Sequence, residues 1–217
     1  MSMVSTEKVT CPVCDKESDF QVWQSLNAQL DPEAVPQLLD GSLFRFTCPH
    51  CGHTATVEYD LLYHDMRNCV MIYYTQPMSR ESVVEQLLLA EKAAPNIRGH
   101  KKRIVTSREA LAEKIMIFRE GMDDRAVELL KLAALAKFME TKPEAGLKDI
   151  RFRTEGTRCY LDLMGEKPVS MEILRSFVWK IASDFAEPWE REAATECFFV
   201  DDRWALEFLE KQGNKEV

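Results

Sequence analysis

The chain has 217 residues, of which 46% are hydrophobic and 29% are charged, and its formal net charge at pH 7 is −8. This balance is typical of a globular protein with a buried core, and it excludes a disordered or fibrous chain. The length suits one large domain or two small ones, and we expect two.

The first ten residues, MSMVSTEKVT, contain no basic cluster followed by an apolar run, so we expect no secretory signal. The apolar segment AVELLKLAALAKFM (126–139) is interrupted by three charged residues and is too short to cross a bilayer. The seven cysteines, an odd number, are more consistent with thiols or metal ligands than with disulfides. We therefore expect a cytoplasmic protein without a membrane segment.

Four cysteines form two C-x-x-C pairs, Cys11 with Cys14 and Cys48 with Cys51, and 33 residues separate the pairs. Each turn directs two sulfurs at one point, and two such turns complete a tetrahedral thiolate set that suits Zn²⁺. A zinc ion held by four sulfurs is structural, whereas a catalytic zinc keeps one position for water or substrate. Iron is the alternative, since ligand type alone does not separate the two metals.

Local sequence distinguishes these four cysteines from the other three. Gly52 follows the second pair, where the chain needs a positive φ angle, and Asp15 holds the equivalent place after the first pair. The other cysteines stand mostly beside apolar neighbours, and we expect them to be buried thiols. They are Cys69, Cys159 and Cys197.

The sequence around the paired cysteines is rich in β-forming residues that partly alternate with polar ones, which predicts short strands. A short helix is predicted to begin at Asp31, with Pro32 in its first turn. Together these elements predict a zinc-ribbon-type β domain over residues 1–78. The predicted strands cover residues 19–25, 43–47, 54–60 and 68–74.

Several stretches of this region resemble the CpXC domain family of bacteria and archaea, which is named for its paired cysteine motifs. The stretches are CPVC (11–14), SLNAQLDPE (25–33), LLDGSLFRFTCPHCGH (38–53) and LLYHDM (61–66), and RIVTSREALAEKIMIFREGMDDRAVELLK (103–131) is similar to the segment that follows in the family. The resemblance covers roughly residues 5–135. It implies metal-binding cysteines in a prokaryotic cytoplasmic protein, and it implies no activity.

Other polar residues near the cysteines are further candidates for a functional role. His50 and His53 lie within and just after the second pair, and either could replace a cysteine or contact a ligand, but four cysteines already complete the set. Tyr63, His64 and Asp65 form the most catalytic-looking triplet. Because adjacent residues of a strand point to opposite faces, we interpret this triplet as a turn with packing roles.

A helical segment is predicted over residues 79–145, beginning with SRESVVEQLLLAEKAA. A capping box over Thr106–Glu109 predicts the start of the next helix. Gly121 is predicted to end that helix and Asp123 to cap the third, so that these two helices form an antiparallel pair.

One basic run, PNIRGHKKRIVTSR (95–108), lies within the helical segment. Nucleic-acid sites combine basic residues with aromatic side chains that stack on bases. Since this run has acidic flanks and no aromatic residue, we interpret it as a solvated linker.

The remaining residues, 146–217, predict a small α+β layer. Alternation in LKDIRFRTEGTRCYLDLMG (147–165) predicts a β-hairpin that turns near Glu155 and Gly156. The fold class predicted for the whole chain is α+β, with a zinc-ribbon-type domain, then helices, then this layer. Its further predicted elements are a helix over 170–185, a strand over 197–201 and a helix over 202–211.

No P-loop, G-x-G-x-x-G, H-E-x-x-H or G-x-S-x-G pattern occurs in the sequence. We therefore predict no catalytic residue and no organic cofactor, and we leave enzymatic activity open while favouring a non-enzyme. The leading hypothesis is a zinc-stabilised binding or adaptor protein whose partner is another protein.

Three other functions are weighed against this hypothesis. A rubredoxin-like iron protein that transfers electrons uses similar cysteine pairs, but the chain extends far beyond such a small carrier. A zinc ribbon that regulates or accompanies nucleic acid is disfavoured, because residues 1–78 contain ten acidic and four basic side chains. A hydrolase would use Tyr63, His64 and Asp65. The oligomeric state is left open.

Overall fold

The computed structural model describes residues 2–76, 84, 99–142, 146–193 and 198–213. It confirms the predicted α+β class, with an N-terminal sheet, helices, and a small C-terminal sheet with further helices. The chain divides into two compact units, Met1–Ala112 and Glu113–Val217. The predicted boundaries lie elsewhere, after residues 78 and 145, and that finer three-part division stays a prediction.

The first unit contains a mixed five-stranded sheet and a separate two-stranded ribbon. The sheet has the order β1-β2-β5-β6-β7, in which β2 pairs with β5 and β6 with β7 in parallel, while the other neighbours are antiparallel. The ribbon pairs β3 with β4. The strands are β1 (Met3–Thr10), β2 (Glu17–Asn27), β3 (Arg45–Thr47), β4 (Thr54–Thr56), β5 (Leu61–Asp65), β6 (Val70–Tyr74) and β7 (Lys101–Val105).

Burial explains why these segments form strands. Leu61, Tyr63 and Asp65 of β5 are buried while the residues between them are half-buried, as expected where one sheet face covers a core. β6 has the nearly continuous apolar sequence VMIYY and is buried along most of its length, as a central strand should be.

A short helix and a 3-10 turn connect β2 to the ribbon. Helix α1 (Ala34–Leu39) buries Ala34, Val35 and Leu38, and the 3-10 turn Ser42–Phe44 follows it. Gly41 joins them with φ 76°, a left-handed conformation that glycine adopts without steric cost. The helix was predicted from Asp31, so the predicted start is three residues early.

Two predictions in the first unit are wrong. Tyr63, His64 and Asp65 lie in strand β5 and not in a turn, because β6 offers them an antiparallel partner that local sequence does not reveal. Residues 101–105, interpreted as part of a solvated linker, form strand β7, in which Arg103, Ile104 and Val105 are buried. The segment predicted as the first helix (79–94) lies outside the described residues, apart from Val84.

The second unit packs helices on one side of a three-stranded antiparallel sheet with the order β10-β9-β8. Phe152, Leu161 and Val178 are among the fully buried side chains of its core. The strands are β8 (Asp149–Glu155), β9 (Arg158–Met164) and β10 (Val169–Ile173), and the helices are α3 (Asp124–Thr141), α4 (Arg175–Asp184), α5 (Ala186–Ala193) and α6 (Asp202–Gly213). Helix α2 (Arg108–Arg119) precedes α3 and contains the division between the two units.

Local signals fix the ends of α2 and α3. The Ser107 hydroxyl accepts a hydrogen bond from Ala110 N–H at 3.1 Å, so Ser107 caps α2, one residue later than the predicted Thr106. Gly121 ends the helix with φ 68°, and the Asp123 carboxylate caps α3 by accepting from Arg125 N–H at 3.0 Å. The last two predictions are confirmed.

An ion pair network is buried where α2 meets α3. Lys114 Nζ lies 3.1 Å from Asp124 Oδ2 and 3.0 Å from Glu128 Oε1, and all three side chains are at most 4% exposed. Burying three charges is costly unless each is paired, and here each is. We call these residues, with the two introduced next, the buried ion cluster.

The cluster continues to the sheet through Glu113. Lys131 Nζ bridges Glu113 Oε1 at 2.7 Å and Glu128 Oε2 at 3.1 Å, and Glu113 Oε2 accepts a hydrogen bond from Phe152 N–H in β8 at 2.7 Å. Burial raises the pKa of the Glu113 carboxyl above its ordinary value. The cluster therefore ties both helices to a strand with polar contacts, within an otherwise apolar core.

The C-terminal predictions are confirmed in part. The hairpin of β8 and β9 turns at residues 156–157 as expected, and the final helix is α6. The predicted helix over 170–185 is wrong at its start, because residues up to Ile173 pair with β9 as strand β10. Residues 198–200 form no strand, and Cys197 lies outside the described residues.

Candidate metal centre

The four paired cysteines lie in the turns of two hairpins. Cys11 and Cys14 follow β1 in the turn to β2, and Cys48 and Cys51 occupy the turn between β3 and β4. Each hairpin is closed by antiparallel pairing that brings its turn residues together. The sequence thus places two ligand pairs on two separate, locally stabilised turns.

The two turns have the same backbone hydrogen bonds. Cys11 N–H donates to the Lys16 carbonyl at 3.0 Å, and Cys48 N–H donates to the His53 carbonyl at 2.8 Å. In each turn, the residue after the second cysteine donates back to the first cysteine's carbonyl, at 3.0 Å from Asp15 and at 2.9 Å from Gly52.

These last two residues adopt the left-handed conformation that the sequence predicts. Asp15 has φ 55° and Gly52 has φ 74°. An L-residue with a side chain is strained there, although aspartate tolerates the region better than most. The two turns therefore share one backbone conformation.

The four sulfurs converge on one point. All of them lie within 4.8 Å of one another, and the distances between Cys11 and Cys51 and between Cys14 and Cys48 are 3.6 Å and 3.7 Å. A tetrahedral zinc site with Zn–S bonds of about 2.3 Å has sulfurs about 3.8 Å apart. The four cysteines are therefore positioned to bind one metal ion.

A small apolar cluster packs against the first cysteine of each pair. Cys11 and Cys48 are buried together with Phe46, and Phe20 contacts Phe46 edge-to-face with ring centroids 6.1 Å apart. Cys51, in contrast, is exposed and Cys14 is half-buried. The site is thus fixed on its inner side and reaches the surface on its outer side.

Backbone N–H groups, burial and neighbouring sulfurs shift the pKa values of Cys48 and Cys51 in opposite directions. Burial opposes ionisation of Cys48, but the N–H groups of His50 and Cys51 hydrogen-bond its sulfur and help to lower its pKa to about 7. The His53 N–H favours the Cys51 thiolate, yet burial and the three neighbouring sulfurs raise the pKa of Cys51 to about 12. Four sulfurs this close cannot all ionise cheaply unless a cation lies among them.

Neither neighbouring histidine joins the cluster of sulfurs. Within the described residues, the group of potential ligands consists of the four cysteines alone. His50 is exposed and His53 is half-buried, and both contribute backbone N–H groups instead. In the second turn, the main-chain N–H groups of the two histidines therefore orient the cysteine sulfurs.

The structure separates His64 from the other members of the predicted triplet. Asp65 is buried, and its Oδ1 accepts a hydrogen bond from Gln29 Nε2 at 2.8 Å, while its Oδ2 accepts from Asn68 Nδ2 at 2.7 Å and from the Tyr63 hydroxyl at 3.4 Å. Burial opposes ionisation of Asp65, but hydrogen bonds from Asn68 and Gln29 help to lower its pKa. The arrangement holds the carboxylate in place and gives no His–Asp pair.

His64 instead contacts a residue that the sequence did not single out. Its Nε2 lies 3.2 Å from Nε2 of His100, which precedes β7. Burial, followed by the proximity of His100, lowers the pKa of His64. No local pattern connects residues 64 and 100, since the parallel pairing of β6 with β7 brings them together.

The structure confirms the prediction of a buried thiol for one of the remaining cysteines and contradicts it for another. Cys159 in β9 is fully buried, as expected. Cys69 is exposed in the turn before β6 with φ 52°, so the prediction of a buried thiol is wrong there. Its apolar neighbours belong to the sheet, whereas the turn lifts the residue itself to the surface.

Among the described helices, none is sufficiently long and apolar to cross a membrane.

No curated protein and no solved structure matches the chain. The sequence model of the CpXC protein matches residues 9–131, which include both cysteine turns, strands β2 to β7 and most of the buried ion cluster's two helices. Since this match spans more than half of the 217 residues, the chain belongs to the CpXC family.

Proposed function

We propose that the protein is a zinc-stabilised binding or adaptor protein of the cytoplasm, in which zinc has a structural role. The observation that carries the proposal is the convergence of four cysteine sulfurs from two hairpin turns. Four thiolates fill the positions of a tetrahedral zinc ion, so the metal would stabilise the ribbon instead of binding substrate.

The apolar cluster beneath the sulfurs supports a structural role for the metal. It consists of a few side chains around Phe46 and Phe20, which is a small core for the ribbon and the β1–β2 turn together. Small domains with such cores commonly depend on a metal for stability. Binding a structural zinc contributes roughly 10–16 kcal/mol at pH 7, enough to decide whether the ribbon folds.

The charge of the region favours a protein partner over nucleic acid. Residues 1–78 contain ten acidic and four basic side chains, and four thiolates around a dication would add to the negative charge. A phosphate backbone would be repelled by this surface. A protein with a basic or mixed surface is the partner that we propose.

The first experiment is the metal content of protein purified without added metal or chelator, measured by elemental mass spectrometry. We expect about one zinc per chain. One iron per chain, with a red colour, would replace the proposal with rubredoxin-like electron transfer. Absence of both metals from a folded protein would contradict a structural metal.

The binding role needs a separate measurement, because metal content does not test it. The zinc-loaded chain is used as bait in extracts of the cells that produce it, and a nucleic-acid column at physiological salt is run in parallel. We expect repeated recovery of the same protein and no retention on nucleic acid. Repeated recovery of no partner above background contradicts the adaptor role, whereas retention on the column would favour a nucleic-acid regulator.

A further inference from the structure

Strand β10 ends the second unit's sheet and leaves apolar side chains exposed. Among the described strands it pairs with β9 alone. Val169 and Met171 lie opposite Leu163 and Leu161 of β9, on the face that covers the core. Both are nevertheless 40% exposed, whereas their β9 partners are buried. The core face therefore continues beyond the part that the unit's own helices cover.

The other edge strands of the five-stranded and three-stranded sheets carry features that discourage pairing. β1 has a register irregularity between Met3 and Val4 and contains two charged residues, and β7 begins with Lys-Lys-Arg. β8 has the sequence DIRFRTE with four charged residues. Charges and bulges on edge strands prevent association with other strands. β10, with the sequence VSMEI and one charge, lacks this protection.

The sequence of β10 is complementary to itself in an antiparallel register. If two copies pair around a two-fold axis at Met171, the two methionines face each other and Val169 of each copy faces Ile173 of the other. Directly opposed apolar side chains stabilise such pairs. This register keeps residues of equal parity opposite each other, as antiparallel hydrogen bonding requires.

The polar face of β10 also suits this register. Glu172, its single charge, would lie opposite Ser170 of the other copy, so that no like charges oppose each other directly. In the chain itself Ser170 donates a hydrogen bond to Asp162, and Glu172 lies 3.8 Å from Arg158. The carboxylates of Asp162 and Glu172 thus each have a donor or a cation on their own chain. Pairing of two copies keeps these contacts.

Two further exposed apolar side chains follow β10 closely in the sequence. Leu174 and Phe177, at the start of α4, are 61% and 54% exposed. They follow directly on the strand, on the stretch of chain that leads from it into the helix. Together with Val169 and Met171 they form what we call the β10 surface.

We propose that the β10 surface binds a second copy of the same chain, through antiparallel pairing of β10 with β10 around a two-fold axis at Met171. The two three-stranded sheets become one six-stranded sheet, and the apolar rows of both copies lie side by side on one face of it. A closed two-fold contact of this kind uses the same patch on both subunits and leaves no β10 edge open. The proposal goes beyond the adaptor role and does not depend on the metal.

The first test compares molar masses in solution by sedimentation over a dilution series. We expect the wild-type chain to reach twice 25.0 kDa. Met171→Glu places two carboxylates opposite each other at the axis and should weaken dimerisation about a hundred-fold. Leu206→Glu is the matched control, since Leu206 is 50% exposed on α6 outside the β10 surface, and it should dimerise normally. A wild-type monomer at all concentrations, or a Met171→Glu dimer of unchanged affinity, overturns the proposal.

A second test needs no variant that could misfold. Amide hydrogen exchange of the wild-type chain is followed at protein concentrations above and below the dissociation constant of the dimer. Alternate amides of β10 should exchange more slowly in the dimer, while those of β8, the opposite edge of the sheet, should not change. Equal slowing in both strands, or none in β10, overturns the assignment of the interface.

The register itself is tested with Ser170→Lys. The new ammonium would lie beside Asp162 in its own chain, so the substitution is tolerated, and opposite Glu172 of the other copy. We expect tighter dimerisation at low salt that weakens as salt is added. An unchanged affinity at low salt would contradict the proposed register.

Discussion

At the scale of single residues, the candidate metal centre depends on main-chain atoms as much as on the four sulfurs. The N–H groups of His50, Cys51 and His53 point at sulfur in the second turn, and Asp15 accepts a left-handed conformation in the first. Such groups orient the ligands and favour their ionised form before any metal arrives.

Cys11→Ser tests the structural role of the metal at one residue. We expect loss of zinc from the purified protein and rapid proteolysis within residues 1–78, because a serine oxygen replaces a buried thiolate ligand. Cys69→Ser, which changes an exposed thiol outside the cluster, should keep both zinc and protease resistance. Equal digestion of Cys11→Ser and the wild-type chain would contradict a structural metal.

His64 gives a prediction of pH dependence. Its pKa is lowered in the folded state, so the unfolded chain binds its proton more readily, and the free energy of unfolding should decrease as pH falls below about 6.5. One proton changes this free energy by at most about 1.4 kcal/mol per pH unit, and solvent screening at a half-exposed site reduces that value.

The measurement is urea denaturation of the wild-type chain and of His64→Gln between pH 7.5 and pH 5.5. Since glutamine does not titrate, the variant should lose less stability over this range. Protonation of the thiols affects both proteins alike and cancels in the comparison. Parallel pH dependences of the two chains would show that His64 does not titrate as described.

At the scale of elements, the buried ion cluster forms the polar part of the contact among α2, α3 and β8. Lys114→Met would leave Asp124 and Glu128 buried with one fewer cation, which typically costs about 3–5 kcal/mol. Lys137→Met is the matched control on α3, because the Lys137–Glu140 pair is exposed and such pairs contribute less than about 1 kcal/mol. Urea denaturation of both variants should show a much larger loss for Lys114→Met, and similar losses would contradict the importance of the cluster.

The elements also show what the sequence can and cannot predict. The cysteine turns, the end of α2 at Gly121 and the cap of α3 at Asp123 depend on neighbouring residues, and those predictions are confirmed. Strands β1, β5, β7 and β10 were missed, because their polar or charged residues hide a pairing with strands elsewhere in the chain. The buried Lys114 was missed for the same reason, as its carboxylates come from the next helix.

At the scale of the whole molecule, the chain divides into two compact units, and the candidate metal centre lies in the first. Chelation of zinc from the holoprotein should therefore increase amide exchange around the two cysteine turns and leave the core strands β8 and β9 protected. Hydrogen exchange with mass spectrometry measures both regions in one sample. Equal loss of protection in both units would show that they unfold together.

The path of the chain through the first unit has a consequence for biosynthesis. After β2 the chain leaves the sheet, forms the ribbon with the second cysteine turn, and returns as β5 beside β2, where Ala28 N–H meets the His64 carbonyl at 2.9 Å. On the ribosome, Cys11 and Cys14 emerge long before Cys48 and Cys51, so a nascent chain holds half a site until the ribbon forms. If zinc fills the site, a cell short of zinc would produce more chains in which the ribbon has not formed. Those chains would be degraded first, and the abundance of the protein would follow the zinc supply.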